Sequence, residues 1–391
     1  MKIGIDISQI AFPGTGSAVY TENLVKNLLK EKENQYVLFF SSLRQSAPKD
    51  FKSKNFKFPP LLLEQIWNRF HVLPIEKLIG KVDVFHTSDW LEPPSHCPKV
   101  TTIHDLIIFK YPERFKRRGG HDIVVNLQRK LKWVKKESTL IIAVSESTKQ
   151  DIVDILKIPT KKIRVIYEAP KEIFQKKVSE TKIEQVKRKY KINGDYLLMV
   201  GTREPRKNLE RAIEAFKLVN SDQWSKSSDR WSVISDQKVT CHRSPLTLVI
   251  AGKFGWGKEL MAEDSKQKTV NSHIKLLGYV PDEDLPALFA GAQVFVYPSL
   301  YEGFGLPILE AMASGCPVVT SNASSMPEVA GKASVLVNPE KVEDIARGIQ
   351  KALENREELI KKGKARAREF SWEKTARETL KVYQEVYAHR S

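Results

Sequence analysis

The chain has 391 residues, 41% hydrophobic and 28% charged, proportions of a folded globular protein that exclude global disorder. At ~100–200 residues per domain, the length favours two domains. The formal net charge of +17 comes from 64 Lys and Arg against 47 Asp and Glu, and it favours anionic partners: nucleic acid, phosphorylated metabolites or an acidic membrane face.

The sequence opens on Ile3-Gly4-Ile5-Asp6-Ile7, a strand with an acid inside it and not a secretory leader. No apolar run approaches the ~20 residues that cross a bilayer, so a cytosolic location is expected. Further strands are predicted at 36–40, 82–86, 100–104, 139–144 and 163–167, rich in Val, Ile and Phe and several without polar alternation, as in buried parallel strands. Residues 17–30 carry a helical stripe of Val19, Leu24, Val25, Leu28 and Leu29, and Ser145 opens another helix. A Lys-rich stretch, 175–193, reads as a surface helix and linker. The alternation then restarts, with strands at 196–201, 246–252, 274–277, 294–298, 317–321 and 334–337, and helices at 209–219, 285–291, 305–314 and 342–355. Strand–helix alternation implies an α/β fold with parallel sheets. The expectation is two doubly wound, Rossmann-like domains, 1–190 and 191–369, facing a cleft, followed by an amphipathic segment, 370–391. Residues 221–244, with Trp224 and Trp231, interrupt a helix-to-strand step and read as an inserted loop.

Cys97, Cys241 and Cys316 are odd in number and widely spaced, which argues against a disulfide framework or a Cys-rich zinc site. His86, His96, Cys97 and His104 match no common metal spacing. Between Lys110 and Lys136 stand ten Lys and Arg against Glu113 and Asp122. Ile123, Val124, Leu127, Leu131 and Val134 recur there at helical spacing. A solvated helix face explains this as well as a basic amphipathic helix lying on anionic lipid.

Three stretches carry chemistry. Pro13-Gly14-Thr15-Gly16 is a Gly-rich turn opening a helix, suited to a phosphate. Val19 replaces the third glycine of the dinucleotide fingerprint and no Gly-Lys-Ser/Thr occurs, so neither a nicotinamide enzyme nor a Walker loop is supported. Gly201-Thr202-Arg203-Glu204-Pro205-Arg206-Lys207 places three cations before a helix, where they oppose its dipole; a polyanion site or a solvated loop would both account for them. Glu302-Gly303-Phe304-Gly305-Leu306-Pro307-Ile308-Leu309-Glu310 sets two acids eight positions apart around a turn of backbone donors. Two carboxylates flanking an N–H nest suit a sugar and a ribose joined by phosphates; the plain alternative is a cap and a surface acid, but Glu310 stands in an apolar neighbourhood where a stray acid is costly.

The stretches EGFGLPILEAMASGCPVV and VGTREPRKNLERAIEAF strongly resemble the retaining nucleotide-sugar glycosyltransferases of family 4, which have the GT-B fold. The resemblance extends to Gly14-Thr15-Gly16, TTIHDL around His104, AVSESTKQDI and LLGYVPDEDLPALFAGA, and so spans nearly the whole chain outside 221–244. It implies that Glu302 contacts the transferred sugar and Glu310 the nucleotide ribose. Gly303, Phe304, Gly305 and Leu306 match the loop whose donors reach sugar and phosphates, and Lys207 matches the lysine that neutralises the diphosphate. Thr202 stands where many members carry an arginine, which leaves Arg206 or Arg203 to compensate. His104 matches a histidine that approaches the donor sugar, and Gly16 the loop against the diphosphate and acceptor. The final segment is implied to pack back on the N-terminal domain. The implied reaction is metal-independent, cofactor-free hexosyl transfer with retention, from a nucleoside-diphosphate sugar to a glycan or lipid-linked hydroxyl. Its expected setting is cell-surface polysaccharide or glycolipid synthesis, with peripheral attachment to the inner membrane face through 110–136. The GT-x-EPRKN form leans towards GDP-mannose, with UDP-hexoses and dTDP-rhamnose open.

Asp282-Glu283-Asp284 matches a D-x-D metal signature, but its place before an apolar helical run assigns it to capping. An epimerase or a phosphorylase shares the expected architecture, though no lysine site for pyridoxal phosphate is evident. A nucleic-acid-binding protein would interleave aromatics with its cations, and only Trp133 lies within 116–136.

Overall fold

The structure, a computed structural model, describes all residues except 113–121, 222–245, 254–268, 272 and 389–391. Beyond Ser221, the expected insert with Trp224, Trp231 and Cys241 lies outside the described residues, as do Arg114, Lys116, Arg117 and Arg118 of the basic stretch. The chain divides into two units, Met1–Ala169 with Phe370–Ser391, and Pro170–Glu369.

The first unit is built on seven strands: β1 (Lys2–Asp6), β2 (Gln35–Ser41), β3 (Ser53–Phe56), β4 (Val84–Ser88), β5 (Lys99–Ile103), β6 (Ser138–Ala143) and β7 (Ile163–Val165). Their order is β3-β2-β1-β4-β5-β6-β7, and every pair is parallel. Every residue of β5 is buried, as expected of a strand covered on both faces. β3 escapes sequence reading because it is a short, half-exposed edge strand of Ser-Lys-Asn-Phe with no apolar run. The sheet is flanked by α1 (Gly16–Leu28), α2 (Ile123–Glu137) and α3 (Glu146–Leu156). Ser145 caps α3 by accepting the Thr148 N–H at 2.9 Å.

The C-terminal helix (Trp372–Ala388) completes this unit. Tyr383 is fully buried, and its hydroxyl bonds His86 Nδ1 at 2.6 Å while His86 Nε2 bonds Thr102 at 2.8 Å. Burial, with help from the nearby charges of His104 and Lys130, pushes the His86 imidazole down to about 3, so it packs as a neutral ring.

The second unit repeats the plan with β8 (Tyr196–Val200), β9 (Thr247–Ala251), β10 (Thr269–Asn271), β11 (Ile274–Gly278), β12 (Val294–Tyr297), β13 (Val318–Ser321) and β14 (Val335–Val337). The order is β10-β11-β9-β8-β12-β13-β14, parallel except for the β10–β11 pair. Its helices are α4 (Glu180–Lys189), α5 (Leu209–Val219), α6 (Leu285–Gly291), α7 (Leu306–Ala313), α8 (Val342–Glu354) and α9 (Arg356–Ala367). One core joins Leu197, Phe216, Ile250, Val296, Val319 and Ile349 across the sheet.

The division falls after Ala169, about twenty residues before the expected boundary at 190. The reason is α4, the helix expected within a Lys-rich surface helix and linker and placed on sequence in the first domain. It buries Val186, and Ile183 lies against Gly291 at the end of α6. Asp284 starts α6 but makes no capping bond, contrary to the expected role; its buried carboxylate pairs with Lys182 and Lys189 and accepts the Tyr190 hydroxyl at 2.8 Å. Asp282 pairs with Lys171. Asp282 and Asp284 thus tie the head of the second unit to its body.

At the ends of β8 and β9 the backbones touch. Gly252 has φ +150°, and a Cβ there would stand 1.8 Å from the Gly201 carbonyl oxygen. Gly252→Ala should therefore lower stability by about 2 kcal/mol or more, read from urea denaturation, because neither backbone can retreat.

Candidate functional site

Strand order in the second unit reverses between β8 and β12, and the connections leaving their carboxyl ends diverge there, the usual place for a ligand crevice. The connection after β8 forms a single turn over Pro205–Lys207 and ends at Asn208. Asn208 is buried in the left-handed region at φ 57°, and its side-chain amide donates to Pro298 O at 3.1 Å and Pro339 O at 2.6 Å. Leu300 N–H donates to the Arg206 carbonyl at 2.8 Å, which joins the two connections directly. From the turn after β13, Ser324 and Ser325 donate to the Glu302 carbonyl at 2.6 and 3.0 Å, and Ser325 also donates to Phe304 O at 2.7 Å.

This scaffold converges charge on one carboxylate. Glu302 is 6% exposed; its Oε1 accepts from Lys207 Nζ at 2.7 Å, and its Oε2 is paired with Arg206. Arg206 Nε meets Glu204 Oε1 at 2.6 Å. Lys207 Nζ also donates to the Tyr297 hydroxyl at 2.6 Å and lies 4.8 Å from its ring centroid. Burial alone would raise the Glu302 carboxyl, but the Arg206 and Lys207 charges outweigh it and hold the group down to about 2. Burial, then the Arg206 charge, draws Lys207 below the usual ammonium range, against the pull of Glu302. Two acids and two cations leave the cluster formally neutral.

Gly303, Phe304 and Leu306 are buried beside Glu302, and Gly305 takes φ 103° to start α7, a conformation that costs a side-chain-bearing residue dearly. Glu310 lies one turn into α7 and is half-buried.

The remaining expected site residues belong to the first unit. Gly16 is exposed at the first position of α1, where Thr15 accepts the Ala18 N–H at 3.3 Å. His104 follows β5; its Nδ1 bonds Glu168 Oε1 at 3.0 Å, and Nε2 stands 3.9 Å from Asp89 Oδ1. Burial would lower the imidazole, but the Glu168 bond and the Asp89 charge reverse the sign and raise it above its usual value. Nearby, burial pushes the Asp6 carboxyl up to about 6 despite its bonds to Ser8, and burial draws Lys130, 2% exposed, below its usual range. Among the described residues, no three His, Cys, Asp or Glu side chains gather as a metal-ligand set.

Comparison with known proteins decides the family. Residues 181–370 match Glycosyl transferases group 1, and residues 14–169 match Glycosyltransferase Family 4. O-antigen chain mannosyltransferase B of Escherichia coli is 32% identical over 98% of this chain and 99% of its own length. The chain belongs to the family 4, group 1 glycosyltransferases. A second relative, the serotype-specific mannosyltransferase WbdA of Escherichia coli, is 31% identical over 71% of this glycosyltransferase and 32% of its own length. Among solved structures, HepE from Anabaena, in complex with UDP and glucose, superposes with a TM-score of 0.70 at 17% identity, covering 98% of this chain and all of that one, a likeness of GT-B fold.

Sequence reading of this glycosyltransferase found Glu302, Lys207 and Arg206 but missed their partners. Glu204 and Tyr297 are unremarkable in sequence, and so are Asp89 and Glu168. Glu168 stands alone after a three-residue strand, and only the fold brings it to His104, sixty-four positions away. Glu168→Gln should lower the His104 pKa by roughly one unit or more, measured by NMR titration of the imidazole. Since the folded-state pKa is raised, the pair's stabilisation is complete below the unfolded value near 6.5 and is lost as pH rises through the folded value. The parent's advantage over the variant in urea denaturation should shrink over the same interval.

Proposed function

We propose that this glycosyltransferase moves a mannosyl unit from GDP-mannose to a hydroxyl of a growing or lipid-linked glycan, with retention at the anomeric carbon. The observation that carries the reading is the formally neutral cluster of Glu302, Glu204, Lys207 and Arg206 at the strand reversal of the second unit. A diphosphate entering there competes for both cations and releases Glu302 to accept hydrogen bonds from sugar hydroxyls. Glu310 would serve the ribose, and the start of α7 at Gly305 and Leu306 would offer N–H donors to the phosphates. Gly16 and His104 would act from the first unit on the diphosphate and the sugar.

In the step itself the bond from the anomeric carbon to the β-phosphate oxygen breaks, and a bond to the acceptor oxygen forms on the same face. The acceptor proton passes to the departing phosphate. Lys207 and Arg206 stabilise the developing charge in place, the work a bound metal does elsewhere. The mannosyl and polysaccharide parts of the reading are supported by the names of the relatives, and the nucleotide part by the family. No described helix is long and apolar enough to cross a membrane, and we place the protein peripherally on an anionic membrane face, where a lipid-linked acceptor would lie.

A thermal-shift series with GDP, UDP, dTDP and ADP should show the largest rise with GDP, since ligand bound to the folded state stabilises it by mass action. Lys207→Ala should reduce turnover on the order of 100-fold. The anomeric proton coupling of the product should match that of the donor sugar, and EDTA should leave the rate unchanged. Isomerised nucleotide sugar released without acceptor would favour an epimerase instead, and dependence on inorganic phosphate a phosphorylase.

A further inference from the structure

Twelve large hydrophobic side chains are exposed among the described residues, and five of them fall within thirteen positions of the first unit: Leu61 (55%), Leu62 (45%), Phe70 (63%), Val72 (54%) and Leu73 (37%). They lie on a helical turn, Pro60–Leu63, which runs through Glu64–Arg69 into a tight bend. In that bend His71 and Leu73 sit in the left-handed region, at φ 54° and 64°, uncommon for residues other than glycine.

The bend is held rigidly from within. The His71 ring stacks on Trp133 of α2 at 3.7 Å, its Nδ1 bonds Trp67 O and its Nε2 bonds Glu137, both at 2.8 Å. Trp133 Nε1 donates to Asn68 O at 2.9 Å, Trp67 Nε1 to Leu73 O at 3.0 Å, and Val72 N–H to Ile66 O at 3.0 Å. The His71 and tryptophan ring nitrogens are bonded inward, while the apolar side chains of Phe70, Val72 and Leu73 are exposed. Solvent exposure of that kind, on a strained bend anchored by its ring and backbone hydrogen bonds, suits an apolar medium.

Cations surround it. The Arg69 guanidinium lies 5.3 Å from the Phe70 ring, and Lys136 and Lys132 lie 5.0 and 6.0 Å from the ring of Trp133, on which His71 stacks. Lys135 is exposed on the same helix, whereas the nearby acid, Glu137, is engaged by His71 and Lys99.

We infer that the ridge Leu61–Leu73, with Arg69, Lys132 and Lys136 at its edge, is the surface by which the protein enters an anionic lipid bilayer. The charge complement favours anionic headgroups over an apolar protein partner, with the apolar side chains reaching the acyl boundary. The inference rests on the peripheral attachment proposed above and moves its apolar part from the basic stretch 110–136 to the 61–73 bend that α2 supports.

The test is co-sedimentation of the full chain with phosphatidylcholine vesicles and with vesicles containing 30% phosphatidylglycerol. The parent should bind the anionic vesicles and leave neutral ones largely unbound. Phe70→Ser/Val72→Ser should weaken anionic binding about tenfold or more, and Lys132→Glu/Lys136→Glu should do likewise, with melting temperature and circular dichroism unchanged. Parent-like binding by both variants would overturn the ridge and leave the membrane reading to another surface. Equal binding to neutral vesicles would overturn the charge argument, and no binding of the parent to either would overturn both readings. A dimer in light scattering that Phe70→Ser/Val72→Ser abolishes would assign the ridge to a second copy of the chain instead.

Discussion

The second unit is organised around one buried carboxylate kept ionised by two cations. A Glu at 6% exposure would ordinarily gain a proton, yet Glu302 is held near 2 because Lys207 and Arg206 touch its two oxygens. Such a cluster contributes little net stability, since desolvating its members offsets most of the attraction. It is nevertheless supported by much of the local backbone. Asn208 adopts a left-handed conformation to reach Pro298 and Pro339, Leu300 bonds the Arg206 carbonyl, and two serines from another connection hold the Glu302 and Phe304 carbonyls. Expense of this kind, with little return in stability, sets the cluster apart from the apolar core and is the pattern expected of a functional site.

Both units place charge where strand order reverses. In the second, Lys207 follows β8 and Glu302 follows β12; in the first, Asp6 ends β1 and Asp89 follows β4, with His104 one strand further along. A parallel sheet wound in both directions leaves a gap only there, so the fold decides the location and the residues decide the chemistry.

The sequence made the architecture readable because buried parallel strands announce themselves as short apolar runs, and because the helices between them keep a 3.6-residue stripe. It failed where no local pattern exists. The half-exposed β3 has neither run nor alternation, and α4, polar on most of its surface, belongs to the second unit through Val186, Ile183 and the Asp284 bonds. The acids at 302 and 310 with the glycine turn between them, and the cations at 206 and 207, were each legible because each set is close in sequence; the fold then brings Arg206 and Lys207 to Glu302. Glu168 was not, because its bond to His104 exists only after β5 and β7 have been placed in one sheet.

Tyr297 gives Lys207 a second partner besides Glu302. Lys207 donates to the Tyr297 hydroxyl as well as to Glu302, with its ammonium 4.8 Å from the tyrosine ring centroid. If a diphosphate draws the ammonium away from the carboxylate, the lysine keeps one fixed anchor, and its charge need not be reorganised while the leaving group forms. Burial holds the tyrosine well above its usual range, with the Glu302 charge adding to the effect, so the hydroxyl stays neutral and adds no charge of its own to the balance. A site arranged this way holds its cation in place in advance, and preorganisation, more than the number of charges, is what lowers the barrier to departure of an anion.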